Sequence, residues 1–280
     1  MALATAQNKT LLSAHLSVRY AGKPVLCGVQ LEIQRGEVMG LVGQSGSGKS
    51  TLAMAILGLL EKKRAHAEGT IRFQGSDLLQ LSERELRGLR GRAIALVLQS
   101  PLSSLNPALK IRTQLKEAWR AHAAGTGADC ANAIQASLQS VSLPADDEFL
   151  RKYPSQMSVG QAQRVLIAMA VMHRPALLIA DEATSALDVI TQSEILALFR
   201  ELNRSTGMAI LYISHDLASV AGICDRIAIL HQGKIVECET TERIFANPQQ
   251  EYTRRLMAAM PRILIASANL HRKTEAAAAR

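Results

Sequence analysis

Eight consecutive residues, Gly43-Gln44-Ser45-Gly46-Ser47-Gly48-Lys49-Ser50, have the types and spacing to hold a polyphosphate. Glycines at 43, 46 and 48 let the backbone bend so that successive N–H groups face inward, and a helix starting there aims the positive end of its dipole at the same point. Lys49 can reach the β and γ oxygens as a point charge, the Ser50 hydroxyl is placed to ligate magnesium, and Thr51 continues the cradle. A second constellation, Asp181-Glu182, ends the apolar run Leu177-Leu178-Ile179-Ala180. A carboxylate pair at the end of a buried strand sits where parallel sheets bind ligands. Asp181 suits the outer magnesium shell, and Glu182 suits polarising a water for attack on a γ-phosphate. Without the cradle, the pair would read equally well as an acidic helix start favoured by the macrodipole.

Three further elements are ordinary alone and informative in order. His215, in Ser214-His215-Asp216, follows the apolar run Met208-Ala209-Ile210-Leu211-Tyr212-Ile213. Gln99 ends Ala93-Ile94-Ala95-Leu96-Val97-Leu98, where an amide can sense magnesium or water. Met157-Ser158-Val159-Gly160-Gln161 precedes the apolar helix Val165 to Ala170, and Ser158 with Gln161 fits a capping box. The same helix start also offers the Ser158 hydroxyl and the Gly160 N–H to an anion outside the chain. Arg164 reads as a solvated charge on that helix.

The elements that must position these groups are legible from hydrophobic period. Val38 to Val42 is an apolar strand before the glycine-rich loop, and Thr51 to Leu57 is a buried helix after it. N-terminal strands run to about Ile33, and Gly69 to Gly75 reads as a hairpin. An alanine-rich helical region from about Pro101 to Arg174, broken at Gly125-Thr126-Gly127, interrupts the core. Strands ending near Ala180, Ile213 and Leu230 resume it. There is no internal repeat.

The order of phosphate loop, Gln99, Ser158-Val159-Gly160-Gln161, Asp181-Glu182, Ser185-Ala186-Leu187-Asp188 and His215 resembles the nucleotide-binding subunit of an ABC transporter, from about Leu11 to the mid-240s. The resemblance implies an α/β fold: a P-loop NTPase with a RecA-like core, an N-terminal antiparallel β subdomain and an inserted α-helical signature subdomain. It implies an ATP-binding domain over residues 1–245 with the helical part at about 101–174 and an extension over 246–265; the Ala-rich, charged end of the chain reads as a flexible tail over 266–280. ATP and Mg2+ are the implied cofactors. By the same resemblance, Tyr20 stacks on adenine, residues 43–51 hold the phosphates, and Ser50, Gln99 and Asp181 serve the metal. Glu182, His215 and Gln99 are the implied catalytic set. Ser158, Gly160 and Gln161 would complete the site of a second copy, Asp188 would communicate between the two sites, and Gln99 would couple the site to a membrane partner.

Three residues depart from the family pattern. Val159 stands where glycine is usual, and a β-branched residue disfavours positive φ and adds bulk near the partner's γ-phosphate. Slow turnover at that site is the expectation. Ala183 replaces a common proline and Ser100 a common aspartate, and neither removes a catalytic atom.

Two segments point to a subgroup. Ser104-Leu105-Asn106-Pro107 and the later Pro248-Gln249-Gln250-Glu251-Tyr252-Thr253, ending near Met260-Pro261, resemble the ATPases of oligopeptide, dipeptide and nickel importers. The implied partners are two membrane-spanning permease subunits, a second ATPase subunit of the same or a related chain, and an extracytoplasmic binding protein reached through the complex. The implied location is peripheral, on the cytoplasmic face of the inner membrane. No run reaches the roughly twenty apolar residues of a membrane span, and the first residues lack a secretion signal. Cys27, Cys130, Cys224 and Cys238 are scattered with no C-x-x-C pair, which argues against zinc and a disulfide framework. The resemblance adds that the Cys-rich end some peptide-importer ATPases carry is missing, so no iron–sulfur cluster is expected. The net charge of +8 invites a nucleic-acid reading, but the basic residues are dispersed and aromatics are only 3%, so no stacking platform forms. The rival reading is a soluble ABC ATPase of DNA repair or translation. Such proteins carry a long coiled-coil insertion or two motif sets, and this chain has neither. A small-molecule kinase would leave the Ser158 segment unexplained.

Overall fold

The computed structural model describes residues 9–61 and 63–259. First come β1 (Thr10–Tyr20), β2 (Lys23–Gln34), β3 (Val38–Val42), α1 (Lys49–Ile56), β4 (Ala65–Phe73) and β5 (Ser76–Asp77). The middle of the chain forms α2 (Glu83–Leu89), β6 (Ile94–Val97), α3 (Pro101–Ser104), α4 (Ile111–Arg120), α5 (Gly127–Ser140), α6 (Asp147–Arg151), α7 (Val159–Val171), β7 (Leu177–Asp181) and α8 (Val189–Thr206). Then follow β8 (Ala209–Ser214), α9 (Leu217–Ile223), β9 (Arg226–His231), β10 (Lys234–Thr240), α10 (Thr241–Ala246) and α11 (Glu251–Ala258). Two compact units result: one takes the described residues up to Leu79 and from Leu211 onward, the other takes Gln80 to Ile210.

The first unit holds an antiparallel sheet in the order β2-β1-β4-β5. Leu12, Ala14, Leu16 and Val18 are buried at every second position of β1, the period of a half-covered strand. That period fixes the register, with Leu16 opposite Val29 of β2 and Ala14 opposite Ile71 of β4. Of the hairpin expected over Gly69 to Gly75, only Gln74-Gly75 form a turn, joining β4 to β5, while Gly69 to Phe73 are the end of β4. In the same unit β10, β9, β3 and β8 lie side by side, with β3 and β9 parallel and Leu41 opposite Ala228. Every residue of β3 and β8 is buried, as in a strand covered on both faces. Gly40 lets α9 press close, since a Cβ there would lie 2.4 Å from Val220 Cγ1. The Asp225 carboxylate accepts from the Val38 N–H at 2.8 Å and fixes where β3 begins.

In the second unit β6 and β7 run parallel, Ile94 opposite Leu177. The alanine-rich stretch forms the helices α3 to α7, and its break at Gly125-Thr126-Gly127 is the capping box of α5, closed by Thr126 and Asp129. Leu115, Leu138, Val165 and Ala168 make the apolar centre of these helices. The Ser-Leu-Asn-Pro turn is pinned by buried Gln114 of α4. Its side-chain carbonyl accepts from the Asn106 N–H at 2.8 Å, while its amide donates to the carbonyls of Asn106 (3.1 Å) and Leu109 (3.0 Å). The proposed extension is described as far as Ala259, and Met260-Pro261 and the tail over 266–280 lie outside the described residues. Among the described residues no helix is long and apolar enough to cross a membrane.

Candidate functional site

The glycine-rich segment connects β3 to α1 and curls around its own lysine. Lys49 is 5% exposed, and its ammonium donates to the carbonyls of Gly43 (2.8 Å) and Gln44 (3.2 Å). Gly43 is obligatory by close approach, because a Cβ there would lie 2.2 Å from the Leu230 carbonyl oxygen. Gly48 is obligatory by conformation: it caps α1 at φ 109°, and a Cβ would meet Leu26 Cδ2 at 2.6 Å. No side chain caps α1, and no acidic residue lies in its first turn. The Ser47 hydroxyl is buried inside the curl with no partner among the described residues, while Ser45, Gly46 and Ser50 are exposed at its mouth. An uncapped helix start, an orphaned hydroxyl and a buried ammonium fit a polyphosphate.

Two other expected site residues lie in the same unit. Tyr20 ends β1, half-buried, opposite Lys23. His215 is exposed between β8 and α9, and the residues on either side of it are fixed. Asp216 caps α9 by accepting from the N–H groups of Ala218 (2.9 Å) and Ser219 (3.2 Å), and Ser214 is buried against Ser219.

The second unit places Asp181 and Glu182 at the end of β7. Asp181 is 7% exposed, whereas Glu182 leaves the strand half-buried with φ 49°. A left-handed backbone is sparsely populated by a residue with a Cβ, and such strain gathers at functional sites. The Glu182 carbonyl accepts from Ser185 twice, N–H at 3.1 Å and Oγ at 3.0 Å, so a tight turn holds the glutamate in that conformation. Nothing in residue type announced it. Gln99 is exposed just past β6, on the stretch that leads into α3. Each unit offers a hard oxygen donor of the kind magnesium takes, Ser50 in the first and Asp181 in the second.

Ser158 caps α7, with a complete capping box: its Oγ accepts from Gln161 N–H and Gln161 Oε1 accepts from Ser158 N–H, both at 3.2 Å. Ser158 and Val159 are exposed. The backbone strain expected of Val159 is not found. It is the first helical residue of α7 and is not among the residues with positive φ, because the chain enters the helix directly from the cap. Only its bulk, 39% exposed, distinguishes it from the usual glycine. Gly160 lets α7 approach α8, since a Cβ would lie 2.8 Å from Thr191 Cγ2. Asp188 caps α8, accepting from Ile190 N–H (3.1 Å), Thr191 N–H (3.0 Å) and Thr191 Oγ1 (2.7 Å). The backbone bond from Thr191, then its hydroxyl, hold the Asp188 carboxyl below its ordinary 3.8.

Arg164 is not the solvated charge expected. Only 17% exposed, it donates to the Val141 carbonyl (2.9 Å) and to Glu194 (3.1 Å), linking the end of α5 to α8 across α7. Its position three residues after Gln161, on the face turned toward those helices, was the available signal. Both partners are more than twenty residues away, which sequence spacing does not reveal.

The ABC transporter family model matches residues 26–185. A peptidoglycan transport ATP-binding protein, YejF of Agrobacterium fabrum, is 46% identical over 84% of this chain and 43% of its own length. A dipeptide transport ATP-binding protein, DppD of Bacillus subtilis, is 41% identical over 87% of this chain and 73% of its own. A glutathione import ATP-binding protein, GsiA of Salmonella paratyphi A, is 39% identical over 84% of this chain and 39% of its own. The chain thus spans under half of YejF and GsiA. Among solved structures, the ATP-binding cassette MJ0796 in a dimeric post-hydrolysis state bound to ADP and Pi superposes with a TM-score of 0.71 at 27% identity, covering 82% of this chain and 98% of that one. CbiO1 of Clostridium perfringens, part of the ABC transporter complex cbiONQ, gives 0.75 at 26% identity over 91% and 98%.

Proposed function

The chain belongs to the ABC transporter family, as an ATP-binding protein with the α/β cassette fold, and on that premise we propose that it is the ATP-hydrolysing subunit of a membrane importer of peptide-type cargo. The observation that carries the reading is the phosphate loop: a buried ammonium inside a glycine curl at a helix start that no side chain caps. The relatives above are named for dipeptide, glutathione and peptidoglycan, which favours a peptide-type cargo over nickel.

In this reading residues 43–51 bind the triphosphate of the substrate ATP, and Tyr20 carries the adenine. Ser50 and Asp181, with Gln99, hold Mg2+, which when bound offsets the charge of the phosphate oxygens. Glu182 orients and deprotonates the attacking water, and His215 supports the same γ-phosphate. Ser158, Gly160 and Gln161 serve the ATP of a second ATPase subunit, identical or related, and Asp188 links the two sites. The solved cassette described as a dimer supports that pairing. Two permease subunits are the membrane partners, which places the chain on the cytoplasmic face of the membrane with an extracytoplasmic binding protein in the same complex. In the second unit a cavity of about 260 Å³ is lined by Leu98, Leu166 and Met169, and Leu98 and Leu102 are exposed. An apolar surface there suits a helix of a permease.

The test is uptake of a labelled dipeptide and of labelled nickel in cells whose only copy carries Lys49→Ala. Loss of peptide uptake supports the proposal, and loss of nickel uptake alone overturns the cargo. Purified Lys49→Ala should lose ATP turnover by about 100- to 1000-fold. Glu182→Gln should bind ATP and fail to turn it over, and turnover at the parental rate would remove Glu182 from its role.

A further inference from the structure

The helix α11, which lies in the extension beyond the motifs, is joined to the phosphate loop by a short series of contacts within one unit. Glu237 of β10, 8% exposed, accepts from the N–H groups of Gln249 (2.8 Å) and Gln250 (3.2 Å), which fixes how the chain turns into α11. Thr253, on the same helix, is fully buried. Tyr252 lays its ring on the imidazole of His231, with centroids 3.7 Å apart and planes 23° from parallel. His231 is the last residue of β9, whose preceding carbonyl, Leu230 O, is the atom against which Gly43 packs. Two residues further on, Gly233 donates its N–H to Ser47 O at 3.1 Å, and its own carbonyl accepts from Cys27 N–H at 2.8 Å.

From these contacts we propose that Tyr252 is a positioning residue for nucleotide binding, acting through His231 and the β9–β10 turn on the phosphate loop at Ser47 and Gly43. The inference rests on the reading that residues 43–51 hold the triphosphate. The turn passes through Gln232 at φ 46° and Gly233 at φ 75°, a tight left-handed connection with the phosphate loop bonded to its glycine and a tyrosine ring covering its first residue. A loop held in its binding geometry before the ligand arrives loses less freedom on binding, so covering the turn raises affinity without touching the nucleotide. The Tyr252 hydroxyl is buried and has no partner among the described residues, so the ring is the part that acts.

The experiment titrates the full-length chain with a fluorescent ATP analogue and magnesium, and measures KM and kcat for ATP beside it. A stacked ring pair of this kind corresponds to about a three- to ten-fold change in affinity. Tyr252→Ala should weaken analogue binding and raise KM by that factor with kcat within about two-fold, while Tyr252→Phe keeps wild-type values and Arg254→Ala, an exposed change on the same helix, does the same. His231→Ala should match Tyr252→Ala, and the double variant should be no weaker than either. Should Tyr252→Ala fail to fold, Tyr252→Leu, which keeps apolar bulk without a ring, replaces it. Wild-type affinity in the Ala or Leu variant, or losses that add in the double variant, would overturn the positioning role. Lys49→Ala separates the two levels. If it binds the analogue as wild type does, the nucleotide reading falls and this proposal with it; if it alone loses binding, only the role of Tyr252 falls.

Discussion

Two helix starts in this molecule are built in opposite ways. α1 opens from Gly48, a residue with no side chain to cap it, and has no acidic residue in its first turn. α7 opens from Ser158 with both halves of a capping box closed by Gln161. Both belong to glycine-containing segments, and in sequence both read as places where an anion can sit. The difference teaches that the second start is closed by its own side chains, whereas the first has no cap residue of its own and, in the proposed reading, is where the triphosphate would sit. A ligand should therefore matter to the folding of the phosphate loop and hardly at all to the folding of α7.

The comparison can be broken hardest at Gly48. Gly48→Ala puts a Cβ at φ 109° and into Leu26, strain of about 1–3 kcal/mol, and should cost ATP affinity about ten- to a hundred-fold by equilibrium titration. Next comes Ser158→Ala, which should lower thermal stability by about 1 kcal/mol through the lost cap and leave the ATP affinity of a single chain unchanged. A change in that affinity would contradict the division between the two starts. Val159→Gly should be milder for stability, about 0.5–1 kcal/mol as a helical glycine, and should raise turnover because only bulk distinguishes the valine. Unchanged turnover would show that the bulk does not reach the second site.

A third start, that of α8, sharpens the contrast by pH. Asp188 caps it as an ion whose carboxyl is held below its ordinary 3.8, chiefly by the Thr191 N–H. A depressed carboxyl contributes stability above its unfolded value and loses it as pH falls through the folded one. Melting curves of wild type and Asp188→Asn should therefore run parallel from pH 7 to about 4 and converge only below that, whereas the serine cap of α7 should show no such dependence.

The core strands, α1, the phosphate loop and the break at Gly125-Thr126-Gly127 were legible because local pattern decides them: apolar runs in β3, β7 and β8, glycine spacing in the loop. The capping box at Ser158 was legible for the same reason. What escaped was set by neighbours distant in sequence. Arg164 owes its place to Val141 and Glu194. Tyr252 was visible as a subgroup motif, but its contact with His231 needed the fold. Glu182 is a different case, since its left-handed backbone is imposed by the turn closed on Ser185, against the preference of the residue itself. At Val159 the mismatch ran the other way: a β-branched residue disfavours positive φ, but the helix already begins at this position and requires none.

Gln114 carries a last consequence, for how the Ser-Leu-Asn-Pro turn would behave in deuterated solvent. Its buried side chain occupies the Asn106 N–H and the carbonyls of Asn106 and Leu109, work that secondary structure does elsewhere. The Asn106 amide should thus exchange as slowly as a helical one, and its exchange rate would report the opening of α4 rather than the mobility of the loop in which it sits.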